Sequence, residues 1–180
     1  KEFTIPVIYA SSSAVYGNLS IGNDMLDEFE ILSPYALDKL TLESYAKLCN
    51  KVFSIPSIGF RFFNVYGKNQ DPKNPYSGVI SIFISQSIEG KDLNVYGGDQ
   101  TRDFIHVDDL CKIIEISLEK IVDDKESRAE ILNLGSGSSI SISALANKVN
   151  KLTKSRSFIN ILPALEGDPI RSDGNYEKLI

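Results

Sequence analysis

A chain of 180 residues suits one ordinary domain, or one and a small appendage, and 42% hydrophobic with 24% charged residues describes a globular protein rather than a disordered one. A net charge of −5 and a pI of about 5.0 argue against a nucleic-acid backbone as partner. No apolar run approaches the roughly 20 residues of a membrane helix and no charged-then-apolar leader opens the sequence, so a cytoplasmic protein without membrane contact is expected.

In chain order, Thr4–Ala10 (TIPVIYA) reads as a buried strand that delivers the serine cluster 11–13 at its C-terminal end. A polar, acidic loop runs from Asn18 to Leu32. Ser33 then suits an N-cap and Pro34 the first turn of a helix. Leu37, Leu40, Leu42, Tyr45, Leu48 and Val52 mark that helix with a stripe expected to face the core. Ile55–Phe63 is a second β-like run, followed by a loop rich in Asn, Pro and Gly over 64–78 and a helix over 79–89. Next come the short LNVYG, the strand DFIHV and a helix from about Asp108 to Val122, with 123–127 as a solvated turn. Ile131–Leu134 reads as a strand, Ser141–Leu152 as a helix and Phe158–Leu162 as a last strand. Repeated strand–helix alternation predicts an α/β fold with parallel strands.

Cys49 and Cys111 both fall in apolar helical patterns and read as buried free thiols. With His106 as the single histidine, a histidine-based metal site or a Ser–His–Asp triad is hard to assemble, so no metal is expected. His106 itself reads as a structural residue in a strand. The stretch NLGSGSSIS (133–141) has two of the glycines of a dinucleotide fingerprint, but Ile140 replaces the third. It reads as a tight turn whose serines cap the next helix.

Tyr35 and Lys39 lie one turn apart on one helix face. A free tyrosine has a pKa near 10, and a fixed ammonium with a positively charged nicotinamide would favour its phenolate. The spacing alone decides little, since chance gives about 0.6 such pairs in a chain of this composition. The serines add weight: open parallel sheets place ligands at the C-terminal ends of their strands. A hydroxyl there could bond both a substrate oxygen and a tyrosine.

The ordered set IYASSSAVYG (8–17), SPYALDK, RFFNVYG, VYGGDQTRDFIHVDDL (95–110), NLGSG and GDPIRS (167–172) resembles the extended short-chain dehydrogenase/reductase family, in its nucleotide-sugar epimerase and dehydratase branch. The resemblance implies the C-terminal part of a Rossmann-type doubly wound parallel sheet plus a smaller α/β substrate-binding region. Residues 1–66 would be the second half of the NAD-binding domain, and 67–180 mainly the nucleotide-sugar region, with about 103–134 returning to the core. It implies NAD as cofactor, Tyr35 as acid/base, Lys39 as ribose anchor and tyrosine activator, and Ser12 as a hydrogen-bonding bridge. Ser11 joins Tyr35 and Lys39 as a cofactor contact. For a UDP-sugar substrate it implies Asn64 beside sugar and diphosphate, Arg102 on the diphosphate, and Asp168 on the ribose hydroxyls. Val79 and Val95 would pack near the base, and Ser172 would flank the sugar's C2 substituent.

Dehydratases of this branch carry Asp and Glu after the catalytic serine or threonine, whereas Ser13 and Ala14 stand here. The resemblance therefore implies a UDP-hexose or UDP-N-acetylhexosamine 4-epimerase, with C4 oxidised to a 4-keto sugar and re-reduced. The small Ser172 leaves room for an N-acetyl group. A UDP-glucuronate 4-epimerase, or another dehydratase or reductase of the family, is the nearest alternative, and Asn64 leans toward the hexose enzymes. A non-catalytic nucleotide-sugar-binding module is the alternative of another class, against which Ser12, Tyr35 and Lys39 stand together. Leu165 replaces an arginine common in relatives, which shifts diphosphate binding toward Arg102 or Arg171. No GxxGxxG turn occurs in the sequence, so the part of the fold holding most NAD contacts is expected outside this chain. An exposed sheet edge, poor NAD binding and little turnover by the chain alone are expected with it. Relatives often dimerise through the YxxxK helix and the helix before it, so a homodimer is implied.

Overall fold

The computed structural model describes residues 5–74, 77–124 and 126–179. The chain begins with β1 (Val7–Ser12), a 3₁₀ helix (Ser13–Tyr16) and the two-residue β2 (Gly22–Asn23). Then follow α1 (Pro34–Phe53), β3 (Ser57–Phe62), β4 (Asn64–Tyr66), α2 (Val79–Ile88), β5 (Leu93–Tyr96) and β6 (Thr101–His106). The remainder is α3 (Val107–Asp123), β7 (Ala129–Leu134), β8 (Ser139–Ser141), α4 (Ile142–Thr153), β9 (Ile159–Leu162) and β10 (Gly174–Asn175).

The main sheet is parallel in the order β1-β3-β7, with Ser12, Phe62 and Leu134 in register, so the three C-terminal strand ends align. The central β3 is buried over most of its length, as a parallel strand covered on both faces must be. Ile58, Phe60, Leu132 and Leu134 of this sheet pack with Leu110 and Ile121 of α3. A second layer pairs β6 with β4 in parallel and with β8 antiparallel, while β5 pairs with β9. Its core joins Phe83 of α2, Leu93 and Val95 of β5, and Ile142, Leu145, Ala146 and Val149 of α4.

Local chemistry explains the helix starts. Ser33 Oγ accepts a hydrogen bond from Ala36 N (3.1 Å) with Pro34 in the first turn, and Ser141 Oγ accepts from Ala144 N (3.2 Å). His106 ends β6 and caps α3, its Nδ1 accepting from Asp108 N (3.2 Å), with Asp108 and Asp109 favourably placed at the helix N-terminus.

Several sequence expectations change. The first strand is Val7–Ser12, so Ser11 and Ser12 belong to the strand itself; residues 1–4 lie outside the described residues. The acidic loop contains β2, which pairs with β10. The stripe assigned to the core side of α1 is mostly on the outside: Leu37, Leu42, Tyr45, Leu48 and Val52 are exposed. The packed face is instead Ala36 and Glu43, buried, with Leu40 against Val15, Tyr16 and Phe63. The reason is electrostatic: Glu43 has a buried arginine to meet, and that contact fixes the helix rotation. The cysteines are free as expected, but not buried, since Cys49 is half-buried and Cys111 exposed on α3.

Candidate active site

Ser12 closes β1 at the C-terminal edge of the main sheet. It is buried, and its Oγ accepts from Ala14 N (3.1 Å), capping the 3₁₀ helix and leaving its own proton without a partner among the described residues. α1 packs against β1 and this 3₁₀ helix. Lys39 reaches from α1 to the strand, Nζ donating to the Ala10 carbonyl (2.9 Å), two residues before Ser12. The same ammonium sits 5.5 Å from the centre of the Tyr35 ring. Tyr35 is 53% exposed and its hydroxyl meets no protein partner among the described residues.

Beneath this pair lies a polar network absent from the sequence reading. Arg61 of β3 grips Glu43 through Nε–Oε1 (2.8 Å) and Nη2–Oε2 (2.7 Å), with both side chains only 2% exposed. Glu43 Oε1 also accepts from Ser11 Oγ (2.5 Å), and Arg61 Nη1 donates to Tyr16 Oη (2.7 Å). Tyr16 in turn donates to Asn133 Oδ1 (2.7 Å) at the end of β7. Burial pushes the Tyr16 phenol above its ordinary pKa, against the opposing pull of Arg61 and Asn133, so it remains a neutral donor. Burial acts against the Arg61 charge, yet hydrogen bonds to Glu43 and Tyr16 more than offset it and raise its pKa. One signal was available: Tyr35, Lys39 and Glu43 recur at i, i+4 and i+8 on the helix. Ser11, expected as a cofactor contact, has its hydroxyl committed to Glu43 and is itself 2% exposed.

The remaining predicted residues gather around two adjoining cavities. The smaller, about 300 Å³, is lined by Ser12, Phe63, Asn64, Arg102, Asp168, Arg171 and Ser172, among others. The larger, about 750 Å³, is lined by Val79, Asn94, Tyr96 and Leu165 together with Asn64, Arg102 and Asp168. Those last three form the shared wall. Arg102 Nη2 pairs with Asp168 Oδ1 (2.5 Å), while Asn64 Nδ2 donates to the Asp103 carbonyl (3.1 Å) and to Ser172 Oγ (3.5 Å). Ser172 is held by the backbone: its N donates to Thr101 O (3.1 Å) and its O accepts from Asp103 N (3.1 Å). Tyr35 and Lys39 line neither cavity.

Val95 is a correction. It is 0% exposed and belongs to the hydrophobic core, so it touches neither cavity. Side chains alternate across a strand, and its neighbours Asn94 and Tyr96 take the cavity face. The stretch 133–141 is also more than a turn. Asp103 accepts hydrogen bonds from Ser136 N (2.7 Å), Ser136 Oγ (2.6 Å), Gly137 N (2.8 Å) and Tyr176 Oη (2.6 Å), which ties that loop and the C-terminal segment to β6. Burial, then the Asp103 hydrogen bond and charge, raises the Tyr176 pKa well above that of a free phenol. Among the described residues no helix is long and apolar enough to cross a membrane, and no group of three or more His, Cys, Asp or Glu is placed to hold a metal.

A parallel sheet carrying a serine at a strand end, a YxxxK helix beside it and two adjoining cavities that share a polar wall define a Rossmann-type chain of the short-chain dehydrogenase/reductase kind. The sequence profile of the NAD dependent epimerase/dehydratase family matches residues 2–135, and the chain belongs to that family. It is similar to the UDP-N-acetylglucosamine 4-epimerase of Methanobrevibacter ruminantium M1, solved in complex with UDP-N-acetylmuramic acid, at 33% identity and a TM-score of 0.86 over 97% of this chain and 55% of that one. It is also similar to the UDP-glucuronic acid 4-epimerase of Bacillus cereus, solved with a fluorinated UDP-glucuronic acid and NAD, at 30% identity and a TM-score of 0.83, covering 96% of this chain and 53% of that one. A UDP-N-acetyl-alpha-D-glucosaminuronate decarboxylase of Bacillus cytotoxicus is 37% identical over 164 residues, 87% of this chain and 49% of the relative. The chain thus spans about half the length of the relatives it matches.

The residues present fit the family's cofactor. Lys39 uses one of its three donors on Ala10 and the Tyr35 hydroxyl has no partner among the described residues, and both are suited to a ribose hydroxyl. The Ser11 hydroxyl does not join them.

Proposed function

We propose that this chain forms the substrate side of a cytoplasmic, NAD-dependent UDP-sugar 4-epimerase acting on a UDP-hexose or UDP-N-acetylhexosamine. One observation carries the reading: Asn64, Arg102 and Asp168 wall both cavities, the smaller beginning at Ser12 and the larger ending between Val79 and Tyr96. A diphosphate at that shared wall puts a sugar beside Ser12 and a nucleoside in the larger space. The guanidinium of Arg102 suits the diphosphate, and Asp168 suits ribose hydroxyls.

Tyr35 takes the proton of the C4 hydroxyl and returns it after the sugar presents its other face. Lys39 sets its ammonium beside the Tyr35 ring and anchors the cofactor ribose. Ser12 bonds the C4 oxygen with the proton that none of the described residues accepts. NAD, when bound, supplies the hydride acceptor and donor. With Ser13 and Ala14 after Ser12, no carboxylate stands there to support elimination.

The same reading places most NAD contacts in a further part of the fold, beyond this chain. It also makes the apolar outer stripe of α1 (Leu37, Tyr45, Leu48 and Val52) the seat of a homodimer. The test is a product assay on the complete protein that carries those NAD contacts, with NAD and UDP-N-acetylglucosamine or UDP-glucose. C4 epimers interconverting with no net NADH is the expected result, and a 4-keto-6-deoxy product overturns it.

Substrate size gives a second test. Ser172→Tyr fills the smaller cavity beside Asn64 and is expected to lower kcat/KM for the N-acetylated sugar by about tenfold or more, sparing the unacetylated one. Parallel assays with both substrates decide, and equal losses rule the idea out.

A further inference from the structure

Gln100 sits in the turn between β5 and β6, is 5% exposed, and uses both ends of its amide. Its Oε1 accepts from Gly98 N (2.6 Å), while Nε2 donates to Tyr96 O (2.9 Å) and to Asp168 Oδ2 (3.3 Å). The other Asp168 oxygen belongs to Arg102. The turn closes tightly over the amide: Gly97 and Gly98 have φ of 73° and 97°, and a Cβ on Gly97 would lie 2.5 Å from Gln100 Nε2. Gly98 O accepts from Ser143 N (2.9 Å), which fixes the turn to the start of α4.

We propose that Gln100 is a positioning residue for nucleotide binding, holding the Asp168 carboxylate and the Tyr96 wall of the larger cavity in a fixed relation. This rests on the reading of that cavity as the nucleoside site. A diphosphate arriving at Arg102 competes with Asp168 for the guanidinium, because both are anions. The Gln100 amide is neutral and holds the other carboxylate oxygen, Oδ2. It keeps one carboxylate oxygen anchored while the other exchanges its partner, so Asp168 stays aimed at the ribose. Few side chains offer what this place requires: an acceptor for a backbone N–H and donors for a carbonyl and a carboxylate.

The test measures Kd by calorimetry on the protein for two probes, UDP and 2′,3′-dideoxy-UDP. Gln100→Glu retains the acceptor for Gly98 N but sets an oxygen against both Asp168 and Tyr96 O. It is expected to weaken UDP binding about tenfold and to erase the preference for UDP over the dideoxy probe. Gln100→Met, which lacks both functions without adding charge, should erase the same preference. The preference is a ratio of constants, so a partly unfolded sample leaves it intact. In an Asp168→Ala background, Gln100→Glu should cost less than in the parent, the remainder coming from its oxygen set against Tyr96 O. An unchanged preference in both Gln100 variants, or a full additional loss in the Asp168→Ala background, overturns the proposal. If Asp168→Ala alone leaves the preference intact, the ribose reading of Asp168 fails and this inference falls with it.

Discussion

Tyr35→Phe is expected to lower kcat by about 10²–10⁴-fold with little change in UDP affinity, because only the proton-transfer group is removed. Tyr35 lines neither cavity, and its ring edge faces solvent beside the Lys39 ammonium. A purely structural tyrosine at so exposed a place would give a variant of nearly normal activity. The measurement is turnover at saturating substrate together with UDP binding. Activity within a few-fold of the parent removes Tyr35 from the chemistry, and a parallel loss of UDP binding moves it to the substrate site. The phenol also needs its ammonium, so Lys39→Met should lower kcat and weaken NAD binding together.

Breaking the Arg61–Glu43 pair is expected to destabilise the protein more than any change in the cavities. Both partners are 2% exposed, and removing one leaves the other charged, buried and uncompensated. Glu43→Gln or Arg61→Met should each cost about 3–5 kcal/mol. For a protein of this size that is a fall in melting temperature on the order of 10 °C. The double variant Glu43→Leu/Arg61→Met should recover much of the loss, since a well-packed apolar pair is often as stable as a buried ion pair. Urea and thermal unfolding of the three variants decide. Single variants within about 1 kcal/mol of the parent would show that water reaches the pair or that a neighbour replaces the lost partner. Ser11 and Tyr16 make the single losses worse, because each donates to or accepts from the broken pair.

Much of the architecture was legible because it is local. Ser33 and Pro34 announce α1, Ser141 announces α4, and β-rich runs alternate with helical ones throughout. The polar wall of the cavities was legible as ordered motifs, and Asn64, Arg102, Asp168 and Ser172 do converge on one place. What escaped depends on partners distant in the chain. An apolar stripe on α1 says that one face seeks cover, but the inner face is chosen by Glu43, whose partner is 18 residues away on another element. Val95 came from the family resemblance alone, and a matched position in a strand does not say which of its two faces meets a cavity. The paired β2 and β10 are two residues each, too short for any periodicity to register.

α1 is asked to satisfy three requirements at once around its circumference. Lys39 reaches the strand with Tyr35 beside it, Ala36, Leu40 and Glu43 face the interior, and Leu37, Tyr45, Leu48 and Val52 face outward. One residue added between 36 and 39 would rotate everything after it by about 100°. Such an insertion would set Glu43 out of reach of Arg61, turn Lys39 from Ala10 and displace the outer stripe together. Length variation in this protein therefore belongs in the loops and outside the stretch from Tyr35 to Glu43.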